Sequence, residues 1–141
     1  MERQISLLLV EDEDVLRMLV AQFLRNEGFA VAEARDGADG VRAFDEEGPF
    51  DLLLVDIKMP VFNGVEVCRR VKRVAPTQRM MICSAEISLE HEEALSALGV
   101  DHFLTKPYHP VNLLAHIRQE IGRRPEAGAV VLPRLAPGRP S

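Results

Sequence analysis

Five short apolar runs alternate with five amphipathic stretches along this chain, and that alternation limits its fold more than any other feature. The runs occupy residues 6–10 (SLLLV), 30–34 (AVAEA), 51–55 (DLLLV), 80–83 (MMIC) and 102–105 (HFLT). The first, third and fourth are apolar on successive residues, the pattern of central parallel strands covered on both faces. The second is less uniform and carries Glu33, which suits an edge.

Helical periods fill the gaps. Val15, Leu16, Leu19, Val20 and Phe23 fall on one face of a first helix that Gly28 stops. A second runs from Gly37 to Gly48 with Val41 and Phe44 inward, and a third carries Val67, Cys68, Val71 and Val74 before Pro76. Ser88 caps a fourth, whose first turns hold Glu90, Glu92 and Glu93 where the helix dipole favours acids, with Leu95 and Leu98 inward. Pro110 opens a fifth, with Leu114, Ile117 and Ile121 inward. Strict strand–helix alternation with short connections implies an α/β fold, an open doubly wound parallel sheet with helices on both faces.

The 141 residues are enough for one domain, and 47% hydrophobic content is ordinary for a globular core. A net charge of -5 argues against direct binding to nucleic acid or an anionic membrane, which select basic surfaces. No apolar run approaches the roughly 20 residues that cross a bilayer, so no membrane insertion is expected. Cys68 and Cys83 lie within apolar patterns and read as small buried hydrophobes of a reducing, cytoplasmic protein. Residues 1–122 form the expected domain. Residues 123–141, with four prolines and no helical period, read as a flexible tail or the stub of a linker, although Val130, Val131 and Leu132 have the character to dock.

In open α/β sheets, ligands sit at the carboxyl ends of the strands, so the residues following each run carry the chemistry. Glu11 and Asp12 follow the first run, Asp56 the third, Ser84 the fourth and Lys106 the fifth. Three converging carboxylates hold one another's pKa values up unless a cation neutralises them, and Mg²⁺ suits an open, oxygen-lined, partly hydrated site. Part of the acidic run at residues 11–14 has a plainer role as a helix start, with Asp14 as its cap. That role does not account for Asp56, far away in sequence.

These residues resemble the receiver domains of two-component response regulators over about residues 5–122. The resemblance rests on Glu11–Asp12, on DIKMPVFNG around Asp56, on Ser84–Ala85, and on TKP with Lys106 and Pro107. It implies a flavodoxin-like (βα)5 fold with strand order 2-1-3-4-5. It also implies that Asp56 accepts a phosphoryl group from a sensor histidine kinase or a histidine phosphotransfer protein. Glu11, Asp12, Asp56 and the backbone carbonyl of Lys58 would then hold Mg²⁺. Lys106 would pair with Asp56 and then with a phosphoryl oxygen, Ser84 would donate its hydroxyl, and Phe103 would be the aromatic switch residue that moves with Ser84. The output surface would be the face of the fourth helix, fifth strand and fifth helix, open to a downstream protein target or a homodimer partner.

Plainer roles stay open for several positions. Ser84 could be a strand-end hydroxyl satisfied by backbone, Phe103 a core phenylalanine, and Pro107 either a cis proline or an ordinary turn residue. Lys58 departs from the smaller polar residues usual two places after the acceptor. It either screens the phosphoryl group from water, with Glu86 as a partner, or is a solvated loop lysine. His91, His102, His109 and His116 read as solvated or partly buried, without metal-ligand spacing to the acids.

Rival functions fare worse on chemistry. A haloacid dehalogenase-like phosphatase needs a second acid where Lys58 stands, and a lysine does not serve there at neutral pH unless its pKa is strongly perturbed. A flavin or dinucleotide site needs a phosphate cradle or glycine-rich turn where the acids 11–14 would repel the ligand. The expectation is therefore a stand-alone response regulator, a phosphoacceptor that catalyses at most its own phosphorylation and dephosphorylation. Its alternatives are an unphosphorylated interaction module and a receiver fragment of a larger regulator.

Overall fold

The computed structural model describes residues 3–123. The elements follow in strict alternation: β1 (Ser6–Val10), α1 (Asp14–Asn26), β2 (Ala30–Ala34), α2 (Gly37–Glu47), β3 (Leu52–Val55), α3 (Gly64–Val74), β4 (Met80–Ser84), α4 (Leu89–Ala97), β5 (Phe103–Thr105) and α5 (Pro110–Gly122). One sheet of order β2-β1-β3-β4-β5 results, and every neighbouring pair is parallel. This is the flavodoxin-like arrangement expected. The tail at residues 124–141, with its Val130–Leu132 run, lies outside the described residues.

Successive residues of a strand point to opposite faces, so the continuous leucine runs build two cores at once. Leu8, Val10, Leu53, Val55 and Ile82 pack on one face with Phe44, Val67, Cys68, Val71 and Leu95 from α2, α3 and α4. Leu7, Leu9, Leu52, Leu54 and Met81 pack on the other with Val20, Ala21, Leu24, Leu113 and Ile117 from α1 and α5. Each fully buried leucine contributes about 1.5–3 kcal/mol, so neither helix layer is dispensable. Cys68 and Cys83 are free and buried, and burial pushes both thiols up to about 12, which leaves them unreactive.

Four helix starts are capped by side chains. Asp36, Asn63 and Ser88 accept from the backbone N–H three residues on, and the His109 ring accepts from Val111. At α1 the expectation fails. Glu13, not Asp14, holds the cap position without a capping bond, and Asp14 is the first helical residue, paired with Arg17 at 2.8 Å.

The inward face of α1 also differs from the one read above. Val20, Ala21 and Leu24 are buried, whereas Val15 and Leu19 are exposed. Apolar residues cover more than half the circumference of this helix, so periodicity alone does not select its inward side. Val74 is likewise exposed, because α3 ends there. In α5, Leu113 joins Leu114 and Ile117 in the core. Among the described residues no helix is long and apolar enough to cross a membrane.

Asp51 ties the foot of β3 to that of β1. Its carboxylate accepts two hydrogen bonds from the Arg3 guanidinium, at 2.7 and 2.8 Å, and one from the Ser6 amide at 2.8 Å. The Arg3 bond, with help from the Ser6 amide and against burial, holds the carboxyl at about 2. A folded-state pKa below the ordinary value of about 3.9 stabilises the fold above that value, and the gain is lost as pH falls towards 2. Arg3 is exposed, so solvent screening reduces the gain to about 1 kcal/mol. Asp51→Asn should therefore lower unfolding stability by about 1 kcal/mol at neutral pH, with the two proteins converging near pH 2, as measured by urea denaturation across that range.

Candidate functional site

Parallel pairing brings the strand ends to one edge. The backbone N–H of Asp56 donates to the carbonyl of Val10 at 3.2 Å and that of Glu11 donates to Ala34 at 3.0 Å, so both acids continue their ladders. On the far side, the Lys106 N–H donates to the Ser84 carbonyl at 2.9 Å. The Lys106–Pro107 peptide is cis.

The side chains close the site. Lys106 Nζ donates to Glu11 Oε1 at 2.6 Å and to Asp56 Oδ2 at 2.9 Å. Ser84 Oγ donates to Asp56 Oδ1 at 2.8 Å, and the Lys58 amide approaches that same oxygen at 3.3 Å. The second oxygen of Glu11 accepts from the Glu13 amide at 3.1 Å. Glu11, Asp56 and Ser84 are 4, 7 and 1% exposed, so Asp56 is nearly enclosed, while Asp12 stands in solvent at the mouth.

Burial is the largest influence on both partners of the Lys106–Glu11 pair. It works against the Lys106 ammonium, but the hydrogen bonds from Glu11 and Asp56 outweigh it and raise that pKa. It raises the pKa of Glu11, and there the Lys106 and Glu13 bonds do not fully offset it. Three carboxylates meet one ammonium, so the pocket keeps an excess of negative charge.

That excess is the test for a cation. Oxygens of Glu11, Asp12 and Asp56 lie within 4.8 Å of one another. The oxygens of one Mg²⁺ shell, with bonds of about 2.0–2.1 Å, are separated by roughly 3–4 Å, so small side-chain movements would bring the three carboxylates into it. The donors are all hard oxygens, and the set fits. Lys58, expected to add its carbonyl, stands two residues along the same loop.

The remaining expected residues lie around this pocket. Phe103 is half-buried against the core of the α2–α3–α4 side and pairs in register with Ile82, two residues before Ser84. Lys58 Nζ is 4.0 Å from Glu86 Oε1, with both side chains more than four-fifths exposed, a contact worth little on its own.

Sequence reasoning missed three features. Gly64 opens α3 beneath Asp56, and a Cβ there would overlap the Asp56 carbonyl oxygen. Val61 holds φ of 74°, a left-handed conformation costly for a β-branched residue, in the loop that follows Asp56. Arg17 donates to the Glu11 carbonyl at 2.8 Å, bracing the acidic turn from α1.

Comparison with known proteins is consistent over most of the chain. The family profile of the response regulator receiver domain matches residues 7–118. The chain is 34% identical over 128 residues to the transcriptional regulatory protein CseB of Streptomyces coelicolor, covering 91% of this chain and 54% of that protein. It is 33% identical over 118 residues to the sensory transduction protein RegX3 of Mycobacterium bovis, covering 84% and 51%. The chain thus spans about half the length of the curated relatives it matches. Among solved structures, a CheY-like response regulator receiver domain protein from Methanospirillum hungatei superimposes with a TM-score of 0.80 at 27% identity, covering 84% of this chain and 94% of that one. The chemotaxis protein CheY4 of Vibrio cholerae does so with a TM-score of 0.78 at 26% identity, covering 84% and 99%.

Gly64→Ala should lower stability by about 1–3 kcal/mol, because a backbone carbonyl yields less readily than a side chain. It should also weaken divalent-ion binding, since the displaced carbonyl belongs to Asp56 itself. Urea denaturation and a Mg²⁺ titration check both, and an unchanged midpoint would show that the loop relaxes freely.

Proposed function

The chain belongs to the response regulator receiver domain family, and from that premise we propose that it is a phosphorylation switch whose acceptor is Asp56. One observation carries the reading. The Asp56 carboxylate is held between the Ser84 hydroxyl and the Lys106 ammonium, on the edge where Glu11 and Asp12 stand.

In this reading, an Asp56 oxygen attacks the phosphorus of a phosphohistidine on a sensor kinase or phosphotransfer protein. The O–P bond forms as the N–P bond breaks, and the imidazole leaves with the electron pair. Mg²⁺, when bound by Glu11, Asp12 and Asp56, supplies charge neutralisation for the incoming phosphoryl oxygens. Lys106 and Ser84, which already donate to Asp56, transfer those hydrogen bonds to the new oxygens. In this reading the protein is a phosphoacceptor that catalyses at most its own phosphorylation and dephosphorylation.

The surface next to the pocket suits a protein donor. α1 begins two residues after Asp12 and exposes Val15, Met18 and Leu19 at 61, 55 and 56%, positions that share one helical face. An apolar strip beside an acidic pocket favours docking by a protein that carries the phosphohistidine, with which we place the chain in the cytoplasm.

Phosphorylation adds about -1.5 to -2 charges at Asp56. Ser84 ends β4 and Lys106 follows β5, so their new bonds would act on those strands, on Phe103, and on the α4–β5–α5 face as a surface for a target protein or a second copy. The relatives named as transcriptional regulators are about twice as long, so a receiver serving a longer regulator is the alternative to a stand-alone one. In either case the acidic domain itself contacts no nucleic acid.

Incubation with acetyl phosphate and Mg²⁺ should add one phosphoryl increment to the intact mass, absent from Asp56→Asn. Wild-type protein that stays unmodified with both small-molecule and kinase donors would instead favour an unphosphorylated interaction module. Lys58→Ala should shorten the lifetime of the phosphorylated form a few-fold, because the exposed Lys58–Glu86 pair flanks the route by which water reaches Asp56. Equal half-lives would reject that role for Lys58.

A further inference from the structure

Away from the acidic pocket, α5 is fastened to the start of β5 by a chain of three titratable side chains. His102, the residue before β5, places Nδ1 2.8 Å from Glu120 Oε1 and Nε2 2.9 Å from His116 Nδ1. His116 and Glu120 are one turn apart on α5, so they grip the His102 ring from both ends. The His102 and Glu120 side chains are only 11 and 10% exposed, and the two imidazoles meet edge to face with centroids 5.1 Å apart.

The proton count of this chain is limited. A carboxylate only accepts, so His102 Nδ1 carries a proton and Nε2 is free to accept the Nδ1–H of His116. A first added proton enters at His116 Nε2, or on the shared contact, and leaves both hydrogen bonds intact. A second places N–H groups on both facing nitrogens and abolishes the 2.9 Å contact. Charged groups face this chain from the elements packed around it. Arg123 donates to Glu120 Oε1 at 2.9 Å and to Asp101 at 3.3 Å, and an Arg79 nitrogen lies 3.9 Å from Glu120 Oε2. Lys72 of α3 also faces Glu120 and Asp101, so three cations and two acids surround the contact. A divalent metal is a poorer occupant. It would find only two ligands, because Glu120 holds the opposite ring nitrogen.

We propose that His102 and His116 form a proton-operated latch that fastens α5 to the start of β5 and releases it when both rings are protonated. The latch stands on this geometry alone, and only its signalling consequence rests on the reading of α4–β5–α5 as the output face. β5 has three residues and one strand neighbour, and Phe103 follows His102 directly.

Hydrogen exchange of the whole chain, without phosphodonor and expressed as protection factors, tests the proposal between about pH 7.5 and 5, the range in which histidines titrate. Protection of residues 113–121 should fall about fivefold or more on acidification relative to α3. His102→Gln, which can donate to Glu120 and accept from His116 without titrating, should remove that fall. If this variant does not fold, His116→Phe, which keeps the ring but has no proton to share, should also remove the pH dependence, at lower protection throughout. Protection that does not change with pH in the wild type, or that falls equally in the variants, overturns the latch. Phosphorylation of Asp56 is read separately by mass, so either idea can fail without the other.

Discussion

The bridge from Lys106 to Glu11 and Asp56 is the interaction on which the rest of the arrangement depends. Two nearly buried carboxylates side by side would each be expensive without a counter-charge, and removing one member of such a group leaves an uncompensated charge indoors. The ammonium arrives from beyond β5, at the opposite edge of the sheet from β2, and reaches the ends of β3 and β1. The order β2-β1-β3-β4-β5 sets the ends of β1 and β3 side by side, within reach of that one side chain. The fold and the site are thus one constraint viewed twice. Fully buried leucine runs make β1 and β3 central strands, and the strand order gathers residues separated by up to 95 positions in the chain.

The same bridge leaves the pocket incomplete in charge. One ammonium does not balance Glu11, Asp12 and Asp56, and burial raises the proton affinity of Glu11 even with Lys106 in contact. A pocket balanced by side chains alone would gain nothing from a cation. This one has a standing reason to bind one, and, on the proposed reading, a further reason to accept the phosphoryl group that the cation would help neutralise. Ser84 and Lys106 already donate to Asp56, so a modified Asp56 redirects hydrogen bonds that exist and does not have to build them from solvent-exposed groups.

Much of this was legible in the sequence because parallel strands covered on both faces are apolar on every residue, and because the residue after such a run must sit at the ligand-binding edge. Glu11, Asp56, Ser84 and Lys106 could be picked out by that rule before any contact was known. The burial face of α1 could not, since apolar residues surround most of that helix and the buried side includes Ala21, a residue without a strong hydrophobic signal. Nor could Glu13 be told from Asp14 as the start of α1, because Asp14 is the better capping side chain and the helix begins beside it without a capping bond. The Gly64 contact and the His102–His116–Glu120 chain were hidden for another reason. Both depend on how closely two segments approach, and no local pattern encodes that distance.

α5 is tied to the rest of the molecule at both of its ends. Its N-terminus begins three residues after Pro107, next to the acidic pocket, with the His109 ring capping its first turn. At its other end Arg79, the residue before β4, donates to the carbonyls of Glu120 and Arg123, while His102 engages the side chains of His116 and Glu120. The helix is therefore tied at one end to the loop that carries Lys106, and at the other to the starts of β4 and β5. A change of charge at Asp56 would pull on the first attachment through Lys106, and protons on the histidines would loosen the second. A packed helix tends to occupy discrete positions and not a continuum of them, so two such ties can bias one equilibrium from opposite ends of the same element.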